Sequence, residues 1–408
     1  MYTFKTGLNP DEHDEYVKAH PLANLLQSSA WGKVKNNWES ELIGVYDNEH
    51  LVASAQVLIR KLLLGMTMIY VPKGPIMDYT NESLVKFMIK HLQLFGKSHR
   101  ALFVKMDPAI KYRAFKLGEE QKILAEAENI IKILQNSNLK WQGLTQKMAD
   151  TVQPRFQANV HQKNFSEEQL PKKTKQMLRI AYKKGVIIKK GGLEFVHQFA
   201  EIMKKTEKRK GVLLREASYY EKLLQTFPKQ AFIMLAKLDL QELYENIQMH
   251  YQENEQAIAE LKKNQIKKRH QLEELRLSLK REISELQEKA NSFGEKVIIA
   301  GTLTIVFAKT SEILYAGMDE AYKRYMPAYL TWFKTIQEAF AQGTNTSNMG
   351  GLEGNLNDGL LKFKNNFNPT IEEFIGEFDL PVNKFFFALS QWIYKLKKHQ
   401  KKKAANRT

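Results

Sequence analysis

Leu42-Ile43-Gly44-Val45-Tyr46, then Asp47-Asn48-Glu49-His50, then Leu51-Val52-Ala53-Ser54-Ala55-Gln56-Val57-Leu58-Ile59: two apolar runs flank four polar residues. The pattern predicts a β-hairpin. Another strand is expected at residues 66–71. Leu84, Met88, Leu92 and Phe95 then recur at helical spacing after the capping candidates Thr80 and Asn81, and residues 101–106 return to a strand that Asp107-Pro108 ends. A second helix is expected over about 120–135, with Ile123, Ala127, Ile130 and Leu134 on one face. The order β, β, β, α, β, α makes residues 1–150 an α/β (α+β) unit.

The second half repeats this logic with different spacing. Helical segments near 193–208 and 217–227 precede an apolar strand at 231–238. Strands at 297–307 and 313–317 follow, flanking the turn Ala308-Lys309-Thr310-Ser311, and then helices near 322–340 and 356–367. If 231–238 corresponds to 42–46, then 297–307 corresponds to 51–59, and a long insert stands where the hairpin turn was. Residues 229–293 contain neither Gly nor Pro, a helix-forming composition. Leu272, Leu275, Leu279, Ile283, Leu286 and Ala290 alternate by three and four, matched more roughly by Leu240, Leu243, Ile247, Tyr251, Ile258 and Leu261. Two helices joined near 264–270 are therefore expected to pair antiparallel as a coiled-coil arm, roughly 35–40 Å long at 1.5 Å per residue. The expected organisation is a first unit over 1–150, a second over 151–239 and 293–384, the arm over 240–292, and a C-terminal amphipathic helix with a basic tail over 385–408.

Composition narrows the function. Of 408 residues, 43% are apolar and 26% charged, as in water-soluble globular chains. Lys and Arg number 62 against 45 Asp and Glu, a net charge of +17, which fits a polyanion or an anionic membrane as partner and equally a solvated basic surface. Without cysteine there are no disulfides, thiolate metal sites or cysteine nucleophile. No two of the ten histidines stand four apart, so a zinc-hydrolase site is unsupported. Phosphate-cradling and dinucleotide-binding glycine motifs are missing as well. No metal or cofactor is expected. No apolar run nears the roughly 20 residues of a spanning helix, and the N-terminus lacks the profile of a secretory signal; a cytoplasmic address follows as the expectation.

Three basic stretches stand out. Around the arm's expected tip fall Lys262, Lys263, Lys267, Lys268, Arg269, Arg276, Lys280 and Arg281, a nucleic-acid contact or a solvated coiled-coil face. Lys172, Lys173, Lys175, Arg179, Lys183, Lys184, Lys189 and Lys190 fit phosphate binding and solvation equally. At the C-terminus, Phe385, Phe386, Phe387, Leu389, Trp392, Ile393, Tyr394 and Leu396 precede Lys397, Lys398, Lys401, Lys402, Lys403 and Arg407. That pattern fits an anionic leaflet, or a core-packing last helix with a basic tail.

Several short segments, in their order and spacing, carry a resemblance. They are Leu25-Leu26-Gln27-Ser28-Ser29-Ala30-Trp31 with Lys35 and Trp38, Lys105-Met106-Asp107-Pro108, Thr151-Val152-Gln153-Pro154-Arg155, Tyr315-Ala316-Gly317-Met318-Asp319 and Leu361-Lys362-Phe363-Lys364. Together they resemble the FemABX family of peptidoglycan interpeptide-bridge aminoacyltransferases, most of all its MurM-type branch. The resemblance implies two GCN5-related acetyltransferase-like domains plus the antiparallel arm. It implies transfer of alanine, serine or glycine from aminoacyl-tRNA to the lysine ε-amine of the lipid-linked peptidoglycan precursor, at the inner face of the plasma membrane. By the same resemblance Lys35, Trp38, Arg215, Tyr219 and Tyr315 match positions that bind the acceptor. Phe363-Lys364 falls on the motif whose lysine lies near the reacting ester, and Asp107 is a general-base candidate ranked below Lys364. Lys267, Lys268, Arg269 and Arg276 are the candidate tRNA contacts.

Read without the family, each residue has a plainer role: surface charge for Lys35 and Arg215, packing for the aromatics, exposure for Lys364, a turn for Asp107. Asn368 stands where relatives carry Gly and is compatible with a left-handed backbone. Two other functions fit the same elements. An acyl-CoA N-acyltransferase shares the fold but needs a glycine-spaced pyrophosphate loop that is not evident, and a noncatalytic tRNA-binding protein would use the arm alone.

Overall fold

The computed structural model describes residues 1–35, 37–288, 296–383 and 387. Apart from Phe387, the expected 385–408 helix and basic tail, and the Ala290 end of the apolar stripe, lie outside them.

In the first half, β1 (Tyr2–Thr6), β2 (Glu39–Asp47), β3 (His50–Lys61), β4 (Thr67–Val71), β5 (Ile76–Met77) and β6 (Ala101–Met106) accompany α1 (Pro10–Ala19), α2 (Ser29–Val34) and α3 (Glu82–Ser98). The hairpin forms as read, turning at Asn48 with φ +56°. Asn81 caps α3 by accepting from the Leu84 amide. The expected face, Leu84, Met88, Leu92 and Phe95, is buried.

Next come β7 (Lys111–Phe115), α4 (Ala125–Asn136) and β8 (Lys140–Trp141), then β9 (Phe156–His161), α5 (Lys172–Lys183), β10 (Ile187–Gly191), α6 (Val196–Lys210), α7 (Ala217–Thr226) and β11 (Ala231–Asp239). The arm is α8 (Leu240–Ala259) and α9 (Ile266–Gln287); after it stand β12 (Lys296–Phe307), β13 (Thr310–Met318), α10 (Pro327–Ala341), β14 (Thr346–Leu352), α11 (Gly359–Lys364), β15 (Thr370–Phe374) and β16 (Phe378–Pro381).

These strands build two eight-stranded sheets. The first runs β1-β2-β3-β4-β6-β16-β8, with β5 also on β3, and the second β10-β11-β12-β13-β14-β9-β15-β7. Each has one parallel pair at its centre, β4 with β6 and β13 with β14. The antiparallel pair β11–β12 stands where β2–β3 stands in the first sheet, and the arm occupies its turn. The halves also exchange strands, which corrects a clean boundary at residue 150. β7 joins the second sheet beside β15, and β16 enters the first between β6 and β8. Neither exchange shows in local periodicity, because strands of five and four residues carry no pattern that names their partners.

Other elements shift from the expected bounds. The 322–340 helix is broken at Met326, which adopts φ +52° ahead of Pro327; a 3-10 segment, Glu320–Tyr325, precedes the break. Proline at the first helical position starts a helix but cannot continue one. The 120–135 helix begins only at Ala125, and the 356–367 helix only at Gly359, which Asp358 caps. The arm turns at 260–265, so helices of 20 and 22 residues span about 30–33 Å. Leu275, expected on the buried stripe, is 47% exposed, whereas Leu279 and Leu286 are buried with Glu282 near the base.

Three cores organise the packing. One lies under the first sheet with α3 and α4, and a second under the second sheet with α5, α10 and the base of the arm. The third joins the halves: Val17, Leu25, Trp31 and Val34 pack with Phe199, Tyr220, Leu223, Ile233 and Leu303.

Candidate functional site

The third core explains where the acceptor candidates stand. Gln27 is fully buried; its amide donates to Pro72 O at 2.6 Å and Gln56 O at 3.2 Å, and its carbonyl oxygen accepts from the Gln56 amide. Ser28 caps α2 through the Trp31 amide, and Asp14 accepts from Ser29. The Gln27-to-Trp31 motif is thus a docking device for α2, and Lys35 is its C-terminal cap residue. On the facing side, α6 ends at the left-handed Gly211, and the loop to α7 carries Arg215, with Tyr219 in α7's first turn.

Core packing between these elements brings Lys35, Arg215, Tyr219 and Tyr315 together. Burial, and then the charge of Arg215, lower the Lys35 amine below its usual range. The Arg215 guanidinium lies 4.9 Å from the Tyr219 ring centre, and the Tyr219 and Tyr315 rings meet edge-on at 6.2 Å. Burial and then Tyr315 raise the Tyr219 hydroxyl. Arg215 is exposed and makes no ion pair among the described residues. A β-bulge aims Tyr315. Ile313 pairs with Thr304 and Tyr315 with Leu303, so Leu314 is extra, and the two flanking side chains enter different cores instead of one. Trp38 is half-buried and packs with the Arg60 guanidinium 5.8 Å from its ring.

Lys364 stands against β14 in the second half. The parallel ladder between β13 and β14 runs only from Thr310–Thr346 to Glu312–Asn348; beyond it the strands diverge. Gly350, at φ +86°, lets β14 turn there in a conformation costly for other residues. Lys364, only 3% exposed, donates to Gly351 O at 2.8 Å. Burial brings its amine down to about 7, with Asp358 opposing the fall and Lys210 adding to it. Lys210 closes α6, the helix that leads into the Arg215 loop. Phe363 is half-buried against Tyr329, Trp332 and Phe367, at ring separations of 5.4–5.7 Å. Asn368 takes the left-handed conformation its place in the motif requires, with φ +52°.

Asp107 is differently placed. It sits at the end of the β4–β6 ladder, 2% exposed, accepting from Tyr70 Oη at 2.8 Å and the Lys73 amide at 3.0 Å. Its other oxygen lies 3.0 Å from Lys73 Nζ, and Lys73 also rests 4.6 Å from the Phe374 ring centre. The mouth of the first sheet's divergence is therefore filled by a buried ion pair, whereas the second carries a single lysine of depressed basicity.

Sequence reading missed the buried charges that lock the halves. Lys105 bridges Glu377 at 2.9 Å and Asp379 at 2.8 Å; burial works against its charge, but these carboxylates hold its amine above the usual range. Arg155 pairs with Glu373 at 2.6 Å and donates to Thr145 O and Phe374 O. Both cations lie in motifs singled out above, so much of the motif signal is structural. A cavity of about 890 Å³ opens between the halves, lined by Asp78, Glu312, Asn348 and Glu372. Burial pushes the Glu312 carboxyl up to about 8 against the pull of Lys73. None of Lys35, Trp38, Arg215, Tyr219, Tyr315 or Lys364 lines it.

On the arm, Lys267, Lys268 and Arg269 fall in the first turn of α9, beside the turn that holds Lys262 and Lys263. Arg276, Lys280 and Arg281 do not share the tip; at 1.5 Å per residue they lie about 15–22 Å down the helix, and Arg276 faces Glu255 at 3.5 Å. The base is clamped by Lys184 on Glu282 at 2.7 Å and by Arg324 on Glu285. Of the second basic stretch, Lys184 and Lys190 are thus engaged internally, the latter with Glu338. Among the described residues no helix is long and apolar enough to cross a membrane, and no His/Cys/Asp/Glu group suits a metal ion.

Comparison with known proteins extends over the same span. The model of the FemAB family matches residues 8–395. The lipid II:glycine glycyltransferase of Staphylococcus saprophyticus is 25% identical over 398 residues, 93% of each chain, and that of Staphylococcus epidermidis is 26% identical over 407, 94% of each. Among solved structures, FemX superposes with a TM-score of 0.75 at 22% identity, covering 94% of this chain and 99% of that one. A tandem GNAT protein from the clavulanic acid pathway reaches 0.51 at 6% identity. These likenesses bear out the fold read from the sequence, two acetyltransferase-like units in tandem.

Proposed function

This chain belongs to the FemAB family, and on that premise we propose that it transfers an aminoacyl group from aminoacyl-tRNA to the lysine ε-amine of lipid II, building a peptidoglycan bridge. The observation that carries the proposal is the cluster of an exposed Arg215, without an ion pair among the described residues, beside Lys35 and two tyrosines; the buried Lys364 where β13 and β14 part supports it. Arg215 and Lys35 suit the pyrophosphate of such an acceptor.

The donor ester is already activated, so no covalent enzyme intermediate is needed. The acceptor nitrogen attacks the ester carbonyl and a C–N bond forms. The bond to the ribose oxygen then breaks, the nitrogen loses a proton, and the departing hydroxyl gains one. With its amine brought down to about 7, Lys364 is part-charged at neutral pH; its protonated form is suited to stabilise the developing oxyanion or to hold the tRNA terminus, because a cation in a dry site acts more strongly than in water. Asp107, with one oxygen accepting from Tyr70 and the Lys73 amide and the other ion-paired with the Lys73 amine, fits a fixed structural carboxylate better than a mobile base. Bringing two large substrates together supplies further acceleration.

The test is transfer from alanyl-, seryl- and glycyl-tRNA to lysine-containing lipid II, with an acceptor lacking the ε-amine as control. Product with one donor supports the reading and names the amino acid. Tight tRNA binding without product from any donor refutes it.

A further inference from the structure

The loop between β3 and β4 ends in Leu62-Leu63-Leu64-Gly65-Met66, and Leu63 and Leu64 are each 84% exposed. Two adjacent leucines held almost wholly in water at a hairpin tip are costly unless something covers them. The backbone holds them there: Leu64 adopts φ +58°, which a leucine takes only at a cost, and Arg100 reaches its carbonyl.

The chemistry around the tip selects the cover. A groove of about 460 Å³ runs beside it, walled by Leu64, Met66, Leu102 and Val382, with Lys97 and Arg100 also lining it. Neither cation forms an ion pair among the described residues, whereas Glu39 on the neighbouring strand is paired with Lys61 at 2.6 Å. Exposed apolar side chains beside two cations without ion pairs suit acyl chains beneath anionic headgroups.

The tip is also continuous with the acceptor cluster. Arg60, three residues before Leu63, packs on Trp38, and Lys35 senses the charge of Arg215. In the loop that carries Arg215, a second apolar side chain, Leu213, is 92% exposed. We propose that the Leu63–Leu64 tip, with Lys97 and Arg100, inserts into an anionic phospholipid bilayer and seats the acceptor cluster against it. This deepens the reading above, since it rests on a lipid-linked acceptor, but the surface is testable without any substrate.

Because the chain has no cysteine, Leu63→Cys gives a single site for a polarity-sensitive thiol label on the full-length protein. Its emission should shift to the blue with vesicles of phosphatidylglycerol and phosphatidylcholine, and much less with phosphatidylcholine alone. Leu63→Ser/Leu64→Asn, with Asn suited to positive φ, should lower binding to the anionic vesicles about tenfold or more. Lys97→Gln/Arg100→Gln should lower it roughly fivefold for each charge removed. Unchanged melting curves establish that the variants fold.

No blue shift, or wild-type vesicle binding by the leucine variant, overturns the proposal. So does conversion of a dimer to a monomer in sedimentation with vesicle binding intact, which makes the tip a self-contact. Transfer separates this proposal from the proposed function: the leucine variant should keep wild-type transfer to a water-soluble acceptor and lose it to lipid II in vesicles. An inserting label with no transfer to any acceptor refutes the function alone, and transfer without insertion refutes the tip alone.

Discussion

Lys364→Met tests the depressed basicity of Lys364 through stability rather than turnover. The amine is 3% exposed and falls from 10.5 to about 7 in the folded chain, a difference of about 4–5 kcal/mol between its charged and neutral forms. Between roughly pH 7 and 10.5 the unfolded chain carries this proton and the folded chain does not. Unfolding therefore takes up a proton, and stability rises with pH across that window. Below about pH 7 both states are charged and the cost of burying the cation is fully present. The methionine variant lacks the group and also loses the bond to Gly351 O, a pH-independent cost of about 1–3 kcal/mol. Subtracting the variant's urea-unfolding profile from the wild type's cancels all other titrations. The difference should climb by about 3 kcal/mol from pH 7 to 9.5, so the variant is the more stable protein on the acid side and the less stable on the alkaline side. Parallel profiles would refute a buried amine of lowered basicity. The same variant should lose transfer activity by a hundredfold or more, as when an oxyanion donor is removed.

Further expectations concern the other residues. Arg215→Ala should weaken binding of the lipid-linked acceptor about tenfold or more while leaving tRNA affinity unchanged; equal losses for both ligands would sink that assignment. Neutralising Lys267, Lys268 and Arg269 should flatten the salt dependence of tRNA affinity by roughly one logarithmic unit for each phosphate no longer neutralised, and an unchanged slope returns them to a solvated face. Lys105→Met leaves Glu377 and Asp379 buried without their cation, so unfolding should become easier by about 3–5 kcal/mol, read from urea midpoints. Asp107→Asn should destabilise the chain by uncoupling Lys73, yet retain transfer activity. Loss of transfer in a stably folded variant would restore Asp107 as the base.

The parts of the fold that were legible in the sequence are those whose signal is local. The β2–β3 hairpin, the buried face of α3 and the Gly- and Pro-free arm are each written in spacing over ten to thirty residues. The left-handed Asn368 was likewise readable from residue type. Boundaries failed where a single backbone conformation intervenes, as at Met326 and before Gly359, because periodicity does not report one dihedral angle. The arm's tip was overdrawn for a related reason: charge counted along a sequence does not measure distance along a helix, and Arg276 lies a good part of the arm away from Lys267.

For the site, residue types and order were enough to nominate Lys35, Arg215, Tyr219, Tyr315 and Lys364, through a resemblance and not through any pattern of their own. Only tertiary structure decided what those nominations mean. Lys364 is an ordinary surface lysine by its helix spacing; it acquires an amine near 7 because β13 and β14 diverge over it and water is excluded. Tyr315 faces Tyr219 because one bulged residue turns it toward the other core. The exchange of β7 and β16, and the buried Lys105 and Arg155 that hold it, join residues more than 200 positions apart. A sequence determines which side chains are available and how each short segment folds. Proximity across such separations arises from the packing of whole elements, and with it come the burial and charge that set the chemistry.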